Sequence, residues 1–539
     1  MGKVVQYNEV TKLNLFTLDI STLSKGIYFV KIHCEKNTYI KKLFIIKQYF
    51  SKAMNKSAFS IQKQSLPYFA ISILVFAYVL VRALNMGITY DEAWTLKSFV
   101  PLSVMNVINY SPCDANNHIL NTLLIKFFYL AGIENVFFAR LPTVLAFILY
   151  LFYCRKISTF LPSLAGIIVF ILLTVNPFLL DFFSLARGYG LGLAFQSMSV
   201  YYLLAFIKNK ELKLAHYATV AASIAVLANF SQLNYWIACQ SVLLFMICFI
   251  YKENKLKFFV VQLITTACLA LILYEPIRKL IKSGSLYYGG SEGFYSDTLV
   301  SLTKYTQYQP VPDIYTYWSL DIFLLLIITG ICYLVIKNIK KQTPLLLENL
   351  LTAILLIAII SSVLQHYLLG TLYLIDRTAL FYFPLFVMVL VFTFYKSPRI
   401  LQKMIFFPLI FFFGLNFFYS VNTYKTALWY FDAHTETVLD QFNEMGKQQN
   451  KKISIDFSWP FQSAIGYYRN KKEYPYITIL QDPRQRDAFA PNADYYIYLS
   501  QSLEKVGYDA DRQEIVRHNT KDTLLSFEKE HMYIFEKIK

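Results

Sequence analysis

The chain has 539 residues, of which 56% are hydrophobic and only 16% are charged. Soluble globular proteins carry about 25% charged residues, so this composition excludes an ordinary soluble enzyme and indicates a polytopic membrane protein. Lys and Arg number 51 against 34 Asp and Glu, a net charge of +17, which we assign to basic cytoplasmic loops. Because the sequence shows no basic face of a soluble fold, we expect no nucleic-acid partner.

The N-terminal segment, residues 1–53, resembles β-structure rather than a membrane helix. The stretch LDISTLSKGIYFVKIHCEKNTYIKKLFIIK alternates as strands around a Ser-Lys-Gly turn. It closely resembles the end of the type IX secretion sorting domain of Bacteroidetes proteins, although that domain stands at the C-terminus of secreted proteins. Our hypothesis is that residues 1–53 are a fusion or gene-boundary relic without a role in the chemistry, and that the membrane protein itself starts at Met54.

Eleven apolar stretches approach the length of about 20 residues that a membrane span requires. Basic residues fall on alternate connections between them, which predicts a cytoplasmic N-terminus. The connections 87–136, 177–188, 277–318 and 367–377 then lie outside, and the apolar stretch 118–133 is expected as a helix along the membrane surface. The predicted spans are 67–86, 137–154, 160–180, 189–207, 214–230, 233–251, 258–276, 319–336, 347–366, 378–395 and 402–421.

The composition changes after the last span. Residues 422–539 alternate helix-like pieces such as ETVLDQFNEMGKQ with strand-like pieces such as KKISIDF, YPYITIL, DYYIYL and HMYIFEKI. This pattern predicts one small α/β domain, which the topology places in the periplasm. The expected fold is a polytopic α-helical membrane protein with its membrane domain over 54–421, a small C-terminal α/β extracytoplasmic domain and a short β-rich N-terminal segment.

Two adjacent carboxylates, Asp91 and Glu92, follow the first predicted span within the sequence Thr-Tyr-Asp-Glu-Ala-Trp. Carboxylates at a membrane face are costly to desolvate unless they bind something. The pair therefore indicates either a functional site or an ordinary acidic start of a loop.

Further polar motifs follow in order along the external segments: Asn-Asn-His at 116–118, Ala-Arg-Leu-Pro at 139–142, Asn-Pro at 176–177, Ala-Arg-Gly-Tyr at 186–189 and Asp-Arg at 376–377. Together with Asp91 and Glu92, this ordered set resembles the C-type glycosyltransferase superfamily. Within it, the set resembles the bacterial membrane transferases related to protein mannosyltransferases and lipid A aminoarabinose transferases. The resemblance covers residues 65–420. In many members two prolines follow the histidine, where this chain has Ile119 and Leu120.

The resemblance implies an inverting transfer of a sugar from a polyprenyl-phosphate donor. The implied acceptor is lipopolysaccharide, another envelope glycan or lipid, or a protein, on the outer face of the inner membrane. Asp91 matches the loop-one aspartate of the family and is the expected base or acceptor-orienting group, since an acceptor hydroxyl needs a carboxylate to take its proton. Glu92 is expected to help arrange Asp91.

Arginine offers a permanent charge and a bidentate fork to phosphate oxygens. Arg377 and Arg187 are therefore the expected ligands of the donor phosphate, followed by Arg278 and Lys279. Each also has a structural interpretation. Arg187 would snorkel or pair with Asp181, Arg377 would be held by its neighbour Asp376, and Arg278 and Lys279 would contact lipid headgroups. Further residues expected to line a substrate cavity are Tyr90, Asn117, His118 and Tyr189.

The external segment 277–318 is rich in Gly and Tyr, and we expect it either to fold over a sugar or to form an interfacial loop. Its Gly-Gly pair lacks the Gly-Lys-Ser/Thr context of a nucleotide-phosphate loop, so nucleotide sugars are not implied. Some C-type enzymes use a divalent ion. Because no Cys, His, Asp or Glu spacing in this sequence marks a metal site, we expect neither a metal nor another cofactor.

Two other functions remain open. A polymerase or ligase of the O-antigen type also places arginines at the outer face, but it does not need paired carboxylates directly after the first span. A membrane transporter places ionisable groups near the midplane and often contains internal repeats. Here the acids and arginines fall at one face of the predicted bundle and no repeat is seen, which favours the transferase.

Overall fold

The computed structural model describes residues 26–34, 37–45, 50–249, 255–308, 311–341, 347–480, 493–499, 520–527 and 532–537. The chain divides into two compact units, Met1–Phe69 and Ala70–Lys539. Helices dominate the described residues, and the strands form one two-stranded and one five-stranded sheet.

The N-terminal unit contains a β-hairpin and the start of a long helix. Strand β1 (Gly26–Cys34) pairs antiparallel with β2 (Asn37–Ile45), with Gly26 opposite Ile45. The strands predicted for this part are present, whereas the predicted turn residues before Gly26 and the LDIST stretch lie outside the described residues. Helix α1 (Phe50–Asn85) begins in this unit.

The larger unit holds helices of very different lengths. They are α2 (Tyr90–Ser98), α3 (Val104–Ile108), α4 (Ile119–Leu130), α5 (Val136–Ser158), α6 (Ser163–Thr174), α7 (Pro177–Phe183), α8 (Gly188–Asn209), α9 (Leu212–Ala228), α10 (Leu233–Phe249), α11 (Lys255–Ser283), α12 (Val300–Gln307), α13 (Asp313–Lys341), α14 (Leu347–Leu369), α15 (Tyr382–Phe394), α16 (Arg399–Ser420), α17 (Thr435–Gln448) and α18 (Gln462–Lys472). Short 3₁₀ turns lie at Phe230–Gln232, Asp376–Ala379, Tyr430–His434 and Trp459–Phe461, and a π-helical turn at Phe294–Leu299.

Within the described residues, eight helices are long and apolar enough to cross a membrane, and the pair α6 and α7, bent by 64°, is a ninth candidate. The helices α9, with 17 residues, and α15, with 13, are shorter than the about 20 residues that a straight span requires. The chain is thus a polytopic α-helical membrane protein, and the count of eleven spans stays a prediction. The eight are Ser65–Asn85, Val136–Ser158, Gly188–Asn209, Phe230–Phe249, Lys255–Ser283, Asp313–Ile336, Leu347–Leu369 and Arg399–Ser420.

The predicted span 160–180 is broken in two at Pro177. Proline has no backbone N–H, so it cannot continue the hydrogen bonding of α6, but it fits the first turn of a new helix. The Asn176 side chain caps that helix, α7, by accepting a hydrogen bond from the Leu179 N–H at 3.0 Å. The break redirects the chain toward the loop that carries Arg187.

The apolar stretch 118–133 forms the predicted helix, α4. Its 12 residues span about 18 Å, which is too short for a hydrocarbon core of about 30 Å. Asn121 and Ile125 are buried against the bundle, whereas Phe127 and Leu130 are 71% and 72% exposed. Such a two-faced short helix is typical of a segment that lies along a membrane surface.

The C-terminal residues form the predicted small α/β structure. Strands β3 (Ile453–Phe457), β4 (Ile477–Ile479), β5 (Tyr495–Leu499), β6 (Thr520–Phe527) and β7 (Met532–Lys537) form one sheet in the order β4-β3-β5-β7-β6. β3 runs parallel to β4 and β5, and β7 runs antiparallel to β5 and β6. Strand β6 was not among the predicted pieces, because TKDTLLSF lacks a regular alternation of apolar residues.

The α/β structure shares its hydrophobic core with the segment that follows the first span. Ile88 and Ala93 belong to the same buried cluster as Leu439, Phe442 and Ile455. Helix α18 packs against α2. The C-terminal structure therefore supports α2 directly.

A buried ion pair joins α1 and α7 to the chain after the last span. Arg82 Nη2 lies 2.5 Å from Asp181 Oδ1, with side chains 0% and 2% exposed. Arg82 also donates to the Lys425 carbonyl at 2.8 Å, and Asp181 accepts from the Ala427 N–H at 2.8 Å. Asp181 therefore pairs with Arg82 rather than with Arg187, the alternative considered from the sequence.

Removing one partner of this pair should destabilise the protein more than removing both. Asp181→Leu leaves the Arg82 charge buried without its counter-charge, a loss of about 3–5 kcal/mol. The double variant Arg82→Met/Asp181→Leu removes both charges and should recover most of that loss. Thermal unfolding of the purified protein in detergent measures the difference, and a double variant no more stable than Asp181→Leu would contradict the pairing.

Candidate functional site

The site is built around the start of α2, where two adjacent carboxylates have different surroundings. Thr89 precedes the helix, and its backbone N–H and side-chain Oγ1 both donate to Glu92 Oε2, at 3.0 and 3.1 Å. The bond from the Thr89 N–H to the Glu92 side chain is the one that a capping box makes, and it satisfies a free donor at the helix start. It fixes the helix direction and therefore the position of Asp91.

Glu92 is fully buried, and all its hydrogen-bonding capacity is used inside the protein. Arg140 Nε and Nη2 donate to its two oxygens at 2.8 and 2.7 Å, and the Ala186 N–H donates to Oε1 at 2.7 Å. Burial alone would raise the pKa of Glu92, but Arg140 and these hydrogen bonds hold that pKa below its ordinary value. Glu92 thus anchors α2 to α5 and to the loop before α8.

Asp91, in contrast, faces two arginines from distant parts of the chain. Its Oδ2 lies 3.4 Å from Arg187 Nη2 and 4.0 Å from Arg377 Nη2. The Asp91 side chain is 11% exposed and that of Arg377 is 16% exposed. The three side chains form a cluster that still reaches solvent, as a substrate site requires.

His118 holds Arg187 in place as a neutral ring. Its Nδ1 lies 3.1 Å from the Ala228 carbonyl, and its Nε2 lies 2.9 Å from Arg187 Nη2. A carbonyl only accepts and a guanidinium only donates, so Nδ1 carries the proton and Nε2 accepts from Arg187. Burial, and then the charge of Arg187, lower the pKa of His118 well below its ordinary value.

Other contacts complete the seat of Arg187. Its Nη1 donates to Thr95 Oγ1 at 3.0 Å and to the Asn116 carbonyl at 3.1 Å. The next residue is Gly188, where a Cβ atom would lie 1.9 Å from the Ala228 carbonyl oxygen and 2.8 Å from His118 Nδ1. Only glycine fits at this close approach, which explains the Arg-Gly pair in the sequence.

Arg377 lies between aromatic rings. Its guanidinium is 4.0 Å from the centre of the Tyr288 ring and 5.4 Å from that of Trp429, within the range of cation–π attraction. Asp376 accepts hydrogen bonds from the Tyr288 hydroxyl and the Arg377 N–H. Asp376 has a φ of +39°, a backbone conformation that Asp tolerates better than most residues. The contacts of Asp376 therefore orient the Arg377 backbone.

The Gly- and Tyr-rich segment folds onto the loop before α15 and brings Tyr288 to Arg377. Gly290 and Tyr373 exchange two backbone hydrogen bonds, at 3.0 and 2.8 Å. A Cβ atom at Gly290 would lie 2.0 Å from Asp297 Cγ. The glycine is thus needed for the close contact that holds the segment down.

The chain after the last span also contacts the start of α2. Asp432 Oδ2 accepts from the Tyr90 N–H at 2.6 Å, and Tyr468 Oη accepts from the Ile88 N–H at 2.9 Å. Burial, with Asp91 and Glu92 nearby, raises the pKa of Asp432 well above its ordinary value. No sequence pattern indicated these contacts of Asp432 and Tyr468 with the start of α2.

The structure divides the remaining candidates. Tyr189 lies beside the cluster, with its ring 5.0 Å from that of His118. Asn117 is fixed internally, since its Nδ2 donates to a backbone carbonyl and its Oδ1 accepts from a threonine hydroxyl. Arg278 pairs with Glu275 on its own helix. Two further candidates bond elsewhere: Lys279 to the Asn109 carbonyl and Ser111, and Tyr90 with its ring against Trp459.

In the described part of the chain, no group of three or more His, Cys, Asp or Glu residues is placed to hold a metal ion. The chemistry available at the cluster is that of Asp91 beside two guanidinium groups, with Asp376 Oδ1 3.4 Å from Arg377 Nη1 as a second carboxylate. Such a set binds an anion and can accept a proton.

Solved structures to which this chain shows a similarity include ArnT from Cupriavidus metallidurans bound to undecaprenyl phosphate, with a TM-score of 0.46 and 8% identity over 88% of this chain and 98% of ArnT. The archaeal oligosaccharyltransferase AglB from Archaeoglobus fulgidus, in complex with an inhibitory peptide and a dolichol-phosphate, has a TM-score of 0.40 and 12% identity over 81% of this chain and 70% of AglB. ArnT in the apo state has a TM-score of 0.37 and 7% identity over 89% of this chain and 98% of ArnT.

Residues 1–47 match the family described as the secretion system C-terminal sorting domain. The match includes both strands of the N-terminal hairpin and confirms the resemblance seen in the alternating sequence. A comparison with curated protein sequences gives no match.

The two neighbouring carboxylates should differ in their effect on stability. Glu92→Gln leaves Arg140 buried without its counter-charge, an expected loss of about 3–5 kcal/mol. Asp91→Asn removes only the longer ion contacts at 3.4 and 4.0 Å and should cost clearly less. Thermal unfolding of both variants in the same detergent provides the comparison; equal losses would contradict the anchoring role of Glu92.

Lowering the pH should destabilise the protein by protonating Glu92 and breaking its ion pair with Arg140. Because the folded protein lowers the pKa of Glu92, the ion pair stabilises the fold above the ordinary pKa of glutamate, about 4.3. This stabilisation is lost as the pH falls through the folded-state value. The unfolding temperature of the wild type should therefore fall on acidification by more than that of Glu92→Gln.

Proposed function

We propose that the protein is a membrane glycosyltransferase that moves a sugar from a polyprenyl-phosphate donor to an acceptor, with inversion at the sugar carbon. The observation that carries the proposal is the cluster of Asp91, Arg187 and Arg377, one carboxylate facing two arginines. The three residues lie in three different connections between spans, 87–136, 177–188 and 367–377, all predicted to lie outside. A charged lipid donor and a polar acceptor meet most readily at such an end of the bundle.

Arg187 and Arg377 have the role of binding the donor phosphate. When the bond between the sugar carbon and the phosphate oxygen breaks, the lipid phosphate leaves with additional negative charge, which two fixed guanidinium groups stabilise. Both groups are positioned before any substrate arrives, Arg187 by His118 and Arg377 by Tyr288. Fixed donors need little reorganisation during the reaction.

Asp91 has the role of general base. It accepts the proton of the acceptor hydroxyl while that oxygen attacks the sugar carbon from the side opposite the phosphate, so that the polyprenyl phosphate departs and the configuration inverts. A positioned base contributes about 10²–10⁴-fold to the rate. In this proposal Glu92 arranges Asp91 through the fold of α2, and Arg278 and Lys279 contact lipid headgroups at the end of α11.

We assign the acceptor to the cell envelope, as lipopolysaccharide, another glycan or lipid, or a protein. The alternation of basic connections supports a cytoplasmic N-terminus and a periplasmic C-terminal structure in the inner membrane. An O-antigen-type polymerase or ligase is the alternative, and it would give no role to Asp91 beside the arginines. A transporter fits less well, because the clustered charges belong to the loops at one end of the bundle rather than to the middle of its spans.

Asp91→Asn should abolish transfer, with a rate loss of about 10²–10⁴-fold. We would compare envelope lipids and glycans by mass spectrometry in a deletion strain complemented with wild type or Asp91→Asn. Loss of one defined sugar, restored by wild type alone, is the expected result. Asp313→Asn, which changes an exposed carboxylate paired with Lys304, is the matched control and should restore the sugar. Full restoration by Asp91→Asn would remove the base assignment.

Arg377→Ala should weaken binding of the donor phosphate. A hydrogen bond to a charged group contributes about 1.5–3 kcal/mol, which corresponds to an increase in Kd of roughly 10- to 100-fold. Binding of undecaprenyl phosphate to the purified protein measures this. Arg155→Ala is the control, because Arg155 lies about 22 Å along α5 from Arg140. An unchanged Kd for Arg377→Ala would exclude Arg377 from the donor site.

A further inference from the structure

A cavity lies beside α2, and Asp91 is not part of its lining. It has a volume of about 280 Å³ and is lined by residues of α2, α4, the start of α5 and α18, close to the smallest size of typical ligand pockets. Most of its lining is apolar, so the interior suits a hydrocarbon better than a sugar. The apolar residues include Leu96, Val100, Ile125, Phe128 and Ala139.

Helix geometry separates this cavity from the arginine cluster. Successive residues of an α-helix are about 100° apart, so Ala93 and Lys97, which line the cavity, lie on one face of α2. Asp91 and Thr95 lie on the opposite face, and both contact Arg187. A ligand in the cavity would therefore be separated from the proposed donor site by the helix that carries the base.

The cavity lies next to an exposed apolar surface. Phe127 and Leu130 of α4 are 71% and 72% exposed. Exposed apolar side chains of this kind are expected where a membrane protein faces lipid. Phe128 and Tyr129, on the same helix, line the cavity. Exposed apolar side chains and cavity-lining side chains are thus neighbours on α4.

The mouth of the cavity carries excess positive charge. Lys97 is exposed and forms no ion pair within the described residues. Lys471, also in the lining, pairs with Glu134 at 2.9 Å. Two lysines against one carboxylate favour an anionic headgroup.

From this combination we propose that the cavity binds one chain of an anionic phospholipid, with its headgroup at Lys97 and Lys471. A phospholipid is favoured over the polyprenyl donor because the donor phosphate already has two arginines on the other face of α2. The bound lipid would pack between α2 and α18, where the C-terminal structure supports the site helix. The cavity and its charges are independent of the transferase activity, whereas the choice of a phospholipid over the polyprenyl donor rests on the proposed function.

Photocrosslinking of the full-length protein tests the proposal. The variants Phe128→benzoylphenylalanine, inside the cavity, and Phe127→benzoylphenylalanine, on the lipid-facing side, are reconstituted in phosphatidylethanolamine vesicles that contain phosphatidylglycerol as a minor component. Mass spectrometry then identifies the lipid adducts. We expect position 127 to label lipids in proportion to the vesicle composition, and position 128 to be enriched several-fold in phosphatidylglycerol.

Two further changes define the site. Val100→Trp should fill the cavity and remove the adduct at position 128 while leaving that at 127, which also reports that the variant is folded. Lys97→Gln combined with Lys471→Gln should remove the preference for phosphatidylglycerol. The same adduct composition at both positions, or no lipid at 128, would overturn the proposal. Displacement of the phosphatidylglycerol adduct by added undecaprenyl phosphate would overturn the assignment to a phospholipid.

Discussion

Taking a carboxylate and a guanidinium out of water costs several kcal/mol per ion, and the pair is tolerated only when hydrogen bonds satisfy both groups. Glu92 and Arg140 meet this condition, because each Glu92 oxygen accepts at least two hydrogen bonds. The hydrogen bond from the Thr89 N–H joins the same carboxylate to the start of α2. The direction of α2 is thereby fixed, and the neighbouring Asp91 is left on the face that meets the arginines. The fold occupies every oxygen lone pair of Glu92, whereas the carboxylate of Asp91, the residue before it, remains available to a ligand.

The rest of the molecule holds this helix from several sides. The loop before α8 reaches it through Ala186 and Arg187, and the C-terminal α/β structure reaches it through Asp432 and through the packing of α18. The Gly-rich segment places Tyr288 on the second arginine. Parts of the chain that are far apart in sequence therefore converge on one short helix. The C-terminal structure thus helps to hold α2 in position, whether or not it binds a ligand of its own.

Local properties of the sequence predicted much of this arrangement. Apolar length located the helices, alternation located β3 and β5, and the order of the polar motifs drew attention to Asp91, Arg187 and Arg377. The different surroundings of Asp91 and Glu92 could not be predicted, because they depend on Arg140 approaching from another helix. The contact of Asp432 with α2 was equally hidden, since it joins segments separated by most of the chain. The break between α6 and α7 at Pro177 is different, because a proline within an apolar run is a signal for a helix break that the sequence itself shows.

Histidine side chains ordinarily change their charge near neutral pH. His118 is instead held neutral by its surroundings, with one nitrogen committed to the Ala228 carbonyl and the other to Arg187. The number of positive charges next to Asp91 is therefore constant over the range in which an ordinary histidine would titrate. The attraction of this cluster for an anion therefore does not depend on the protonation of His118 in a neutral or a mildly acidic medium.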